Sequence, residues 1–352
     1  MFFLPMILST ALAIADGQTP AAEAPPSRAH LDQAVERSLV FLDKGANDWW
    51  SGPNNQVGQK DGRPVLVKGT QKACASCHHL PMTVWCLTEA KNHGFKVNDQ
   101  SLNQLRDWSV SQYVNDPDLK PVGQDKFGGA KTSLNTIYLS AFLFAAKEPD
   151  KQATEALKKF AVHLMAKQEK DGSWSSGRTG YEPPIGDTGD VLTMQAVLVL
   201  AEADKRGLAA DAWADSRDRA LAWLKKNKPN DSNQALILQT QIAQRFGKPE
   251  DVASLVKQIR TQQNVDGGWR QLKDRSSDAL ATGQSLCLLA STGADAKDPA
   301  IQRGQYFLIG TQLKDGSWWV PSRDKGRKGV AISHYGSGWA TLGLIRTLHS
   351  AK

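Results

Sequence analysis

The chain has 352 residues, 40% of them hydrophobic and 22% charged, with a formal net charge of +7. That composition is ample for one large globular core and excludes disorder as the default state. The basic surplus is scattered along helical stretches rather than gathered into arms or stripes, so it describes a solvated surface and argues against a nucleic-acid partner.

Residues 1–15 form an apolar run ending in Ala13-Ile14-Ala15, before the polar Asp16. This is the pattern of a signal-peptide core followed by an A-x-A cleavage site. No Lys or Arg precedes the run, which leaves an uncleaved anchor or a mis-assigned start as the alternative. The run is shorter than the roughly 18 apolar residues that span a bilayer, and no later stretch reaches that length, so no transmembrane segment is expected. Residues 16–28, rich in Ala and Pro, read as a flexible leader, and residues 29–352 as a single domain. The expected location is periplasmic or secreted.

The first helix is expected near 31–44 and its partner near 77–93. Between them stands Cys74-Ala75-Ser76-Cys77-His78. Two cysteines three apart followed by a histidine is the pattern of c-type haem attachment, in which both thiols add to the haem vinyl groups and the imidazole binds the iron. The expected cofactor is therefore covalent haem c on Cys74, Cys77 and His78. Zinc held by Cys74, Cys77 and His78 or His79 is the first alternative, although a distant ligand would have to complete its tetrahedron. A disulfide or redox pair is the second. Cys86 and Cys287 fall within apolar helical runs and read as buried thiols.

Further along, helix pairs are expected near 98–114/132–146, 151–168/188–205, 215–227/232–246, 250–263/278–291 and 298–311/334–349. The first member of each pair is amphipathic, as in Ala153, Ala156, Leu157, Phe160, Ala161, Leu164 and Met165. The second is apolar nearly all round, as in Ala196-Val197-Leu198-Val199-Leu200-Ala201, which makes it a helix buried on every side. First members are therefore outer and second members inner. Six such pairs favour a closed ring, because an open stack would expose two apolar ends. Three loops repeat one motif: Gln168 to Trp174, Gln263 to Trp269 and Gln312 to Trp318, each with Asp-Gly before its end. The first gap is about twice the second, and a decayed copy around Ala220 to Asp231 fills it.

Gln-x-x-Asp-Gly-x-Trp at helix-pair spacing resembles the QW repeat of squalene-hopene cyclase-like and prenyltransferase-like proteins. The resemblance covers about 270 residues and implies an all-α (α/α)6 toroid of six helix pairs. It also implies that Trp174, Trp269 and Trp318 stack on the glutamines and tie adjacent pairs together. The acid motif of the cyclases, Asp-x-Asp-Asp, does not occur; Asp187-Thr188-Gly189-Asp190 is its nearest approach.

In such a ring every inner helix starts at the same face, so its first residues converge on one mouth of a central cavity. His79, Asp187, Asp190, Asp278, His334 and Tyr335 are the cavity candidates at those positions. Helix capping is the plain alternative for each Asp. With pair six beside pair one, His334 is expected to face His78 and to be the second ligand of a haem iron. His79, Met82 and Met194 are its rivals, and an open site is the remaining alternative. The function expected from these residues is an exported c-type haem protein in electron transfer or haem-based redox chemistry, served by a redox partner protein. The alternative is an exported terpene cyclase-like enzyme or isoprenoid-binding protein, which holds a small hydrophobic ligand and has a structural or zinc-bound Cys-His cluster. A pure interaction scaffold is the third reading. Whether the chain is an enzyme stays open at this level.

Overall fold

The computed structural model describes residues 25–51, 55–60, 63–68, 79–114, 131–146, 150–175, 188–209, 212–323 and 332–348. The elements in chain order are α1 (Arg28–Ser51), β1 (Asn55–Lys60), β2 (Arg63–Lys68), α2 (Leu80–Asn92), α3 (Asp99–Val114), α4 (Lys131–Ala145), α5 (Lys151–Ala166) and α6 (Gly189–Lys205). They continue with α7 (Trp213–Lys226), α8 (Asn233–Phe246), α9 (Pro249–Thr261), α10 (Ala279–Ser291), α11 (Pro299–Thr311) and α12 (Ser333–Leu348). Odd-numbered helices are outer and even-numbered helices inner.

Local sequence accounts for this division. Asp150 caps α5 by accepting from the Ala153 amide, and Ala153, Ala156, Leu157, Phe160, Ala161 and Leu164 form its one buried face. By contrast α10 is buried without a break from Ala279 to Leu289. Each inner helix packs on the next, α2 on α4, α4 on α6, α6 on α8, α8 on α10 and α10 on α12, and α12 packs back on α2. The ring is therefore closed. All six expected pairs are present, and the fold is the (α/α)6 toroid.

One element was not foreseen. Between α1 and α2, β1 and β2 form an antiparallel hairpin whose register runs from Asn55 opposite Lys68 to Lys60 opposite Arg63. The two residues left between the strands are Asp61 and Gly62, the pairing that a two-residue hairpin turn favours. Among the described residues no helix is long and apolar enough to cross a membrane.

The repeated loops hold the pairs together with divided labour. Each glutamine amide bridges to the next outer helix. Gln168 Nε2 donates to its own loop at Gly172 O (2.9 Å) and to Ser216 O in α7 (2.8 Å). Gln263 Nε2 reaches Ala300 O in α11 at 2.8 Å, and Gln312 Nε2 reaches Ala34 O in α1 at 2.9 Å. Arginines three residues further along those helices, Arg219, Arg303 and Arg37, donate back to the glutamine oxygens. Each tryptophan instead bonds within its own pair. Trp174, Trp269 and Trp318 donate from Nε1 to Leu164 O, Ile259 O and Leu308 O at 2.7–2.8 Å. Their backbone amides donate to hydroxyls on the inner helices: Thr193, Thr282 and Ser337. For Trp269 the ring also lies against Gly304 of α11, so it contributes to the inter-pair seam by packing. The bridging bond, however, is made by glutamine.

The motif glycines have φ of +97° (Gly172), +84° (Gly267) and +88° (Gly316). They sit within the loops, beyond the ends of α5, α9 and α11, rather than at the helix ends themselves. A Cβ on Gly316 would run into the backbone carbonyl of Arg37. Gly316→Ala therefore combines a left-handed backbone with a clash against α1, and a loss of about 1 kcal/mol or more is expected in urea unfolding. A change within about 0.3 kcal/mol would show that the loop relaxes freely.

The α10–α12 seam uses glycine differently, to bring backbones together. A Cβ on Gly283 would overlap the Trp339 carbonyl, and one on Gly343 would lie 2.8 Å from Gly283 Cα. Of the three glycines of α12, which a free helix would tolerate poorly, Gly343 lies at this crossing, whereas Gly336 lies against Val320 and Gly338 against Met82 of α2.

Candidate active site

The loops rise to the face at which the inner helices begin, and polar side chains gather there at three places around the mouth. The first is the seam that closes the ring. His79 precedes α2, and its ring stacks on Trp49 of α1 (5.0 Å between centroids) and on His334 of α12 (3.6 Å, 18° between planes). His334 Nε2 lies 2.9 Å from Thr83 Oγ1, and His79 Nε2 lies 3.3 Å from Gly45 O. Gly45 makes room for the stack, since a Cβ there would lie 3.0 Å from His334 Nδ1. Imidazoles of adjacent inner helices do meet at the mouth, as their positions imply. His334 was expected to face His78, which lies outside the described residues; the imidazole it stacks on in the structure is that of His79.

The second place joins α6 to α8. Asp190, in the first turn of α6, accepts from the Asn230 amide (2.9 Å) and from Asn230 Nδ2 (3.2 Å). Asn230 also donates to Thr188 Oγ1 and accepts from the Ser232 amide. The third joins α8 to α10. Asn233 donates to Ala281 O and to Ser285 Oγ, and its amide donates to Gln271 O. Asp278 caps α10, accepting from the Leu280 and Ala281 amides at 3.0 Å each. Its own amide bonds to Trp269 O. Burial pushes the Asp278 carboxyl up from 3.8 to about 6, against the pull of the Ala281 amide and of Gln271 beside it. Both Asp190 and Asp278 are only 7% exposed.

Of the other expected site residues, Tyr335 is fully buried and meets Trp339 edge to face at 6.5 Å. Cys74, Cys77, His78 and Asp187 lie outside the described residues. Cys86 and Cys287 are buried free thiols, pushed up chiefly by burial. Among the described residues, no group of three or more His, Cys, Asp or Glu comes together to hold a metal ion.

Sequence reasoning missed a layer below the mouth. Thr193, Thr282 and Ser337 face the loop tryptophans, so residues two positions on lie about 200° round the helix and point to the axis. They are Gln195, Gln284 and Trp339. Trp85 stands in the same relation to Thr83 and meets the Trp339 ring at 5.4 Å, edge to face. That register could have revealed the layer from the repeats alone. Deeper still, Glu89 accepts from Arg346 Nε at 2.6 Å, and the guanidinium lies 5.6 Å from the Trp85 ring. A surface groove at the opposite end of α8, lined by Gly247, Lys248, Pro249 and Gly293, is remote from all three polar places.

No known protein family and no curated protein matches this sequence. Solved structures do match it along nearly its whole length. An unsaturated glucuronyl hydrolase from Streptococcus agalactiae superposes with a TM-score of 0.56 at 11% identity, covering 93% of each chain. A possible member of the GH105 family from Klebsiella pneumoniae gives 0.56 at 14% identity, over 97% of this chain and 99% of that one. A type II terpene cyclase from Scytonema gives 0.56 at 14% identity, over 91% and 98%. At such identities the likeness is one of fold.

These relatives correct the functional expectation. The chains described above that share the toroid are two carbohydrate-type hydrolases and a terpene cyclase; none of their names describes a haem, iron or cytochrome c protein. The electron-transfer reading is therefore abandoned. The isoprenoid alternative is matched in part only, by the terpene cyclase.

Proposed function

We propose that the protein is an exported glycoside hydrolase that cleaves an oligosaccharide at the mouth of the toroid, with Asp278 as proton donor. The observation that carries this reading is a buried carboxyl at the start of an inner helix, pushed to about 6 by desolvation. A carboxyl so placed stays protonated in mildly acidic solution and can act as a general acid. The likeness of fold to glycosidases supports the same chemistry. The apolar run of residues 1–15 supports export.

In this mechanism the Asp278 proton passes to the glycosidic oxygen as the bond from that oxygen to the anomeric carbon breaks. Water adds its hydroxyl to the anomeric carbon, and its remaining proton goes to Asp190. Asn230 holds Asp190 in place through two hydrogen bonds. Release of reducing ends from a panel of neutral and uronic oligosaccharides tests the reading. Activity is expected to decline above about pH 6 as the acid ionises, and to vanish in Asp278→Asn. No release from any substrate, or full activity in that variant, would reject it.

A further inference from the structure

The axial layer below the mouth takes no part in the mechanism above, yet it holds polar atoms that are left without partners. Trp85 Nε1, Trp339 Nε1 and Gln284 Oε1 are each buried and make no hydrogen bond. Gln284 as a whole is only 4% exposed. The three side chains come from α2, α12 and α10, which are consecutive around the ring. They also share one level. The two indoles touch edge to face, and Gly283, the residue before Gln284, lies against the Trp339 carbonyl. Desolvated donors and acceptors are ordinarily satisfied, so three orphans on one level of three consecutive inner helices are polar groups that a bound molecule would satisfy.

The chemistry of that group follows from the atoms. An indole N–H only donates, whereas the Gln284 amide can present an acceptor or a donor. A hydroxyl both accepts and donates, so a ring bearing several hydroxyls can satisfy all three. Charge points the same way. The ionic groups nearest this layer, Glu89 and Arg346, are bonded to each other. The thiols of Cys86 and Cys287, which face the same pair, are held protonated by burial. A carboxylate brought here would lose its hydration and meet no unpaired cation among the described residues.

We infer that Trp85, Trp339 and Gln284 form a binding subsite for an uncharged sugar ring. The inference rests on the hydrolase reading for its setting and deepens it: the substrate is a neutral saccharide, unlike the glucuronyl compounds named for some toroids of similar fold.

Calorimetric titration of the full-length Asp278→Asn protein with cellotriose, xylotriose, mannotriose and trigalacturonic acid tests this. At least one neutral probe is expected to bind saturably, and Trp85→Phe or Trp339→Phe is expected to weaken it by about tenfold or more. Each Phe variant removes an orphan N–H while keeping an aromatic ring, so weakened binding at a melting temperature that holds separates a binding role from a packing one. If either Phe variant fails to fold, Gln284→Leu supplies the same comparison. Three outcomes overturn the inference: trigalacturonic acid binding as tightly as the best neutral probe, no saturable binding of any neutral probe, or unchanged affinity in both Phe variants. A neutral probe that binds but is never cleaved by the wild-type protein leaves the subsite standing and rejects the hydrolase reading.

Discussion

Asp278→Asn is expected to lose hydrolysis by about 10²–10⁴-fold and yet to be the more stable protein at neutral pH. The carboxyl is pushed up from 3.8 to about 6 by burial, so the folded state binds its proton more tightly than the unfolded chain does. A raised acid contributes stability that is full below pH 3.8 and is lost as pH rises through about 6. A shift of this size corresponds to about 3 kcal/mol, taken as an order of magnitude. Asparagine keeps an oxygen able to cap α10 but carries no charge to desolvate. Wild type and variant should therefore unfold at similar denaturant concentrations near pH 4 and diverge between pH 4 and about 6, with the variant ahead from there on. Parallel curves across that range would mean that Asp278 ionises in the fold as it does in the unfolded chain, and would remove the basis for its role as acid.

Trp269→Ala should cost about 3–5 kcal/mol. The ring is fully buried, and its Nε1 is bonded to Ile259 O. A Cβ built on Gly304 would come within 3.0 Å of its edge and 2.9 Å of Leu286, so the void left by truncation has little freedom to collapse. Trp319→Ala is the matched control, because Trp319 is 55% exposed, and it should change stability by no more than about 0.5 kcal/mol. Urea unfolding of the two variants distinguishes them. A loss below about 0.5 kcal/mol for Trp269→Ala would mean that the repeat tryptophan does not hold the pair together.

The architecture was legible in the sequence because its signals are periodic. The buried all-apolar stretches around Val191 to Ala201 and Leu280 to Leu289 could only be inner helices, and six of them had to close on themselves. The hairpin of β1 and β2 was not legible, because a strand such as Asn55-Gln56-Val57-Gly58-Gln59-Lys60 carries a single large apolar residue and no alternation. Asp190 and Asp278 were found by their positions at helix starts. Their partners Asn230 and Gln271 were not, since those lie on connecting segments whose paths depend on tertiary contacts. His334 was expected to face His78, which lies outside the described residues; the structure sets its ring against His79, one residue further on, and position along a helix start does not separate two neighbouring imidazoles. The axial residues Trp85, Gln284 and Trp339 were hidden for a different reason. An aromatic or amide side chain inside an apolar helix looks like ordinary core until the hydroxyl facing the repeat tryptophan fixes the helix rotation.

The bond from Gln312 to Ala34 and its return from Arg37 join the last loop to the first helix. The two other bridges of this kind among the described residues link consecutive pairs, so most of the ring can assemble as it emerges while its final seam cannot. Until α11 and its loop are made, the flank of α1 that carries Ala34 and Arg37, together with the Ser38 hydroxyl that meets Thr341, has no partner. Closure is thus a late step of high contact order, and its rate should limit folding. A newly made chain would spend that interval as an open arc with two apolar edges, the stage at which a chaperone or a second copy could capture it.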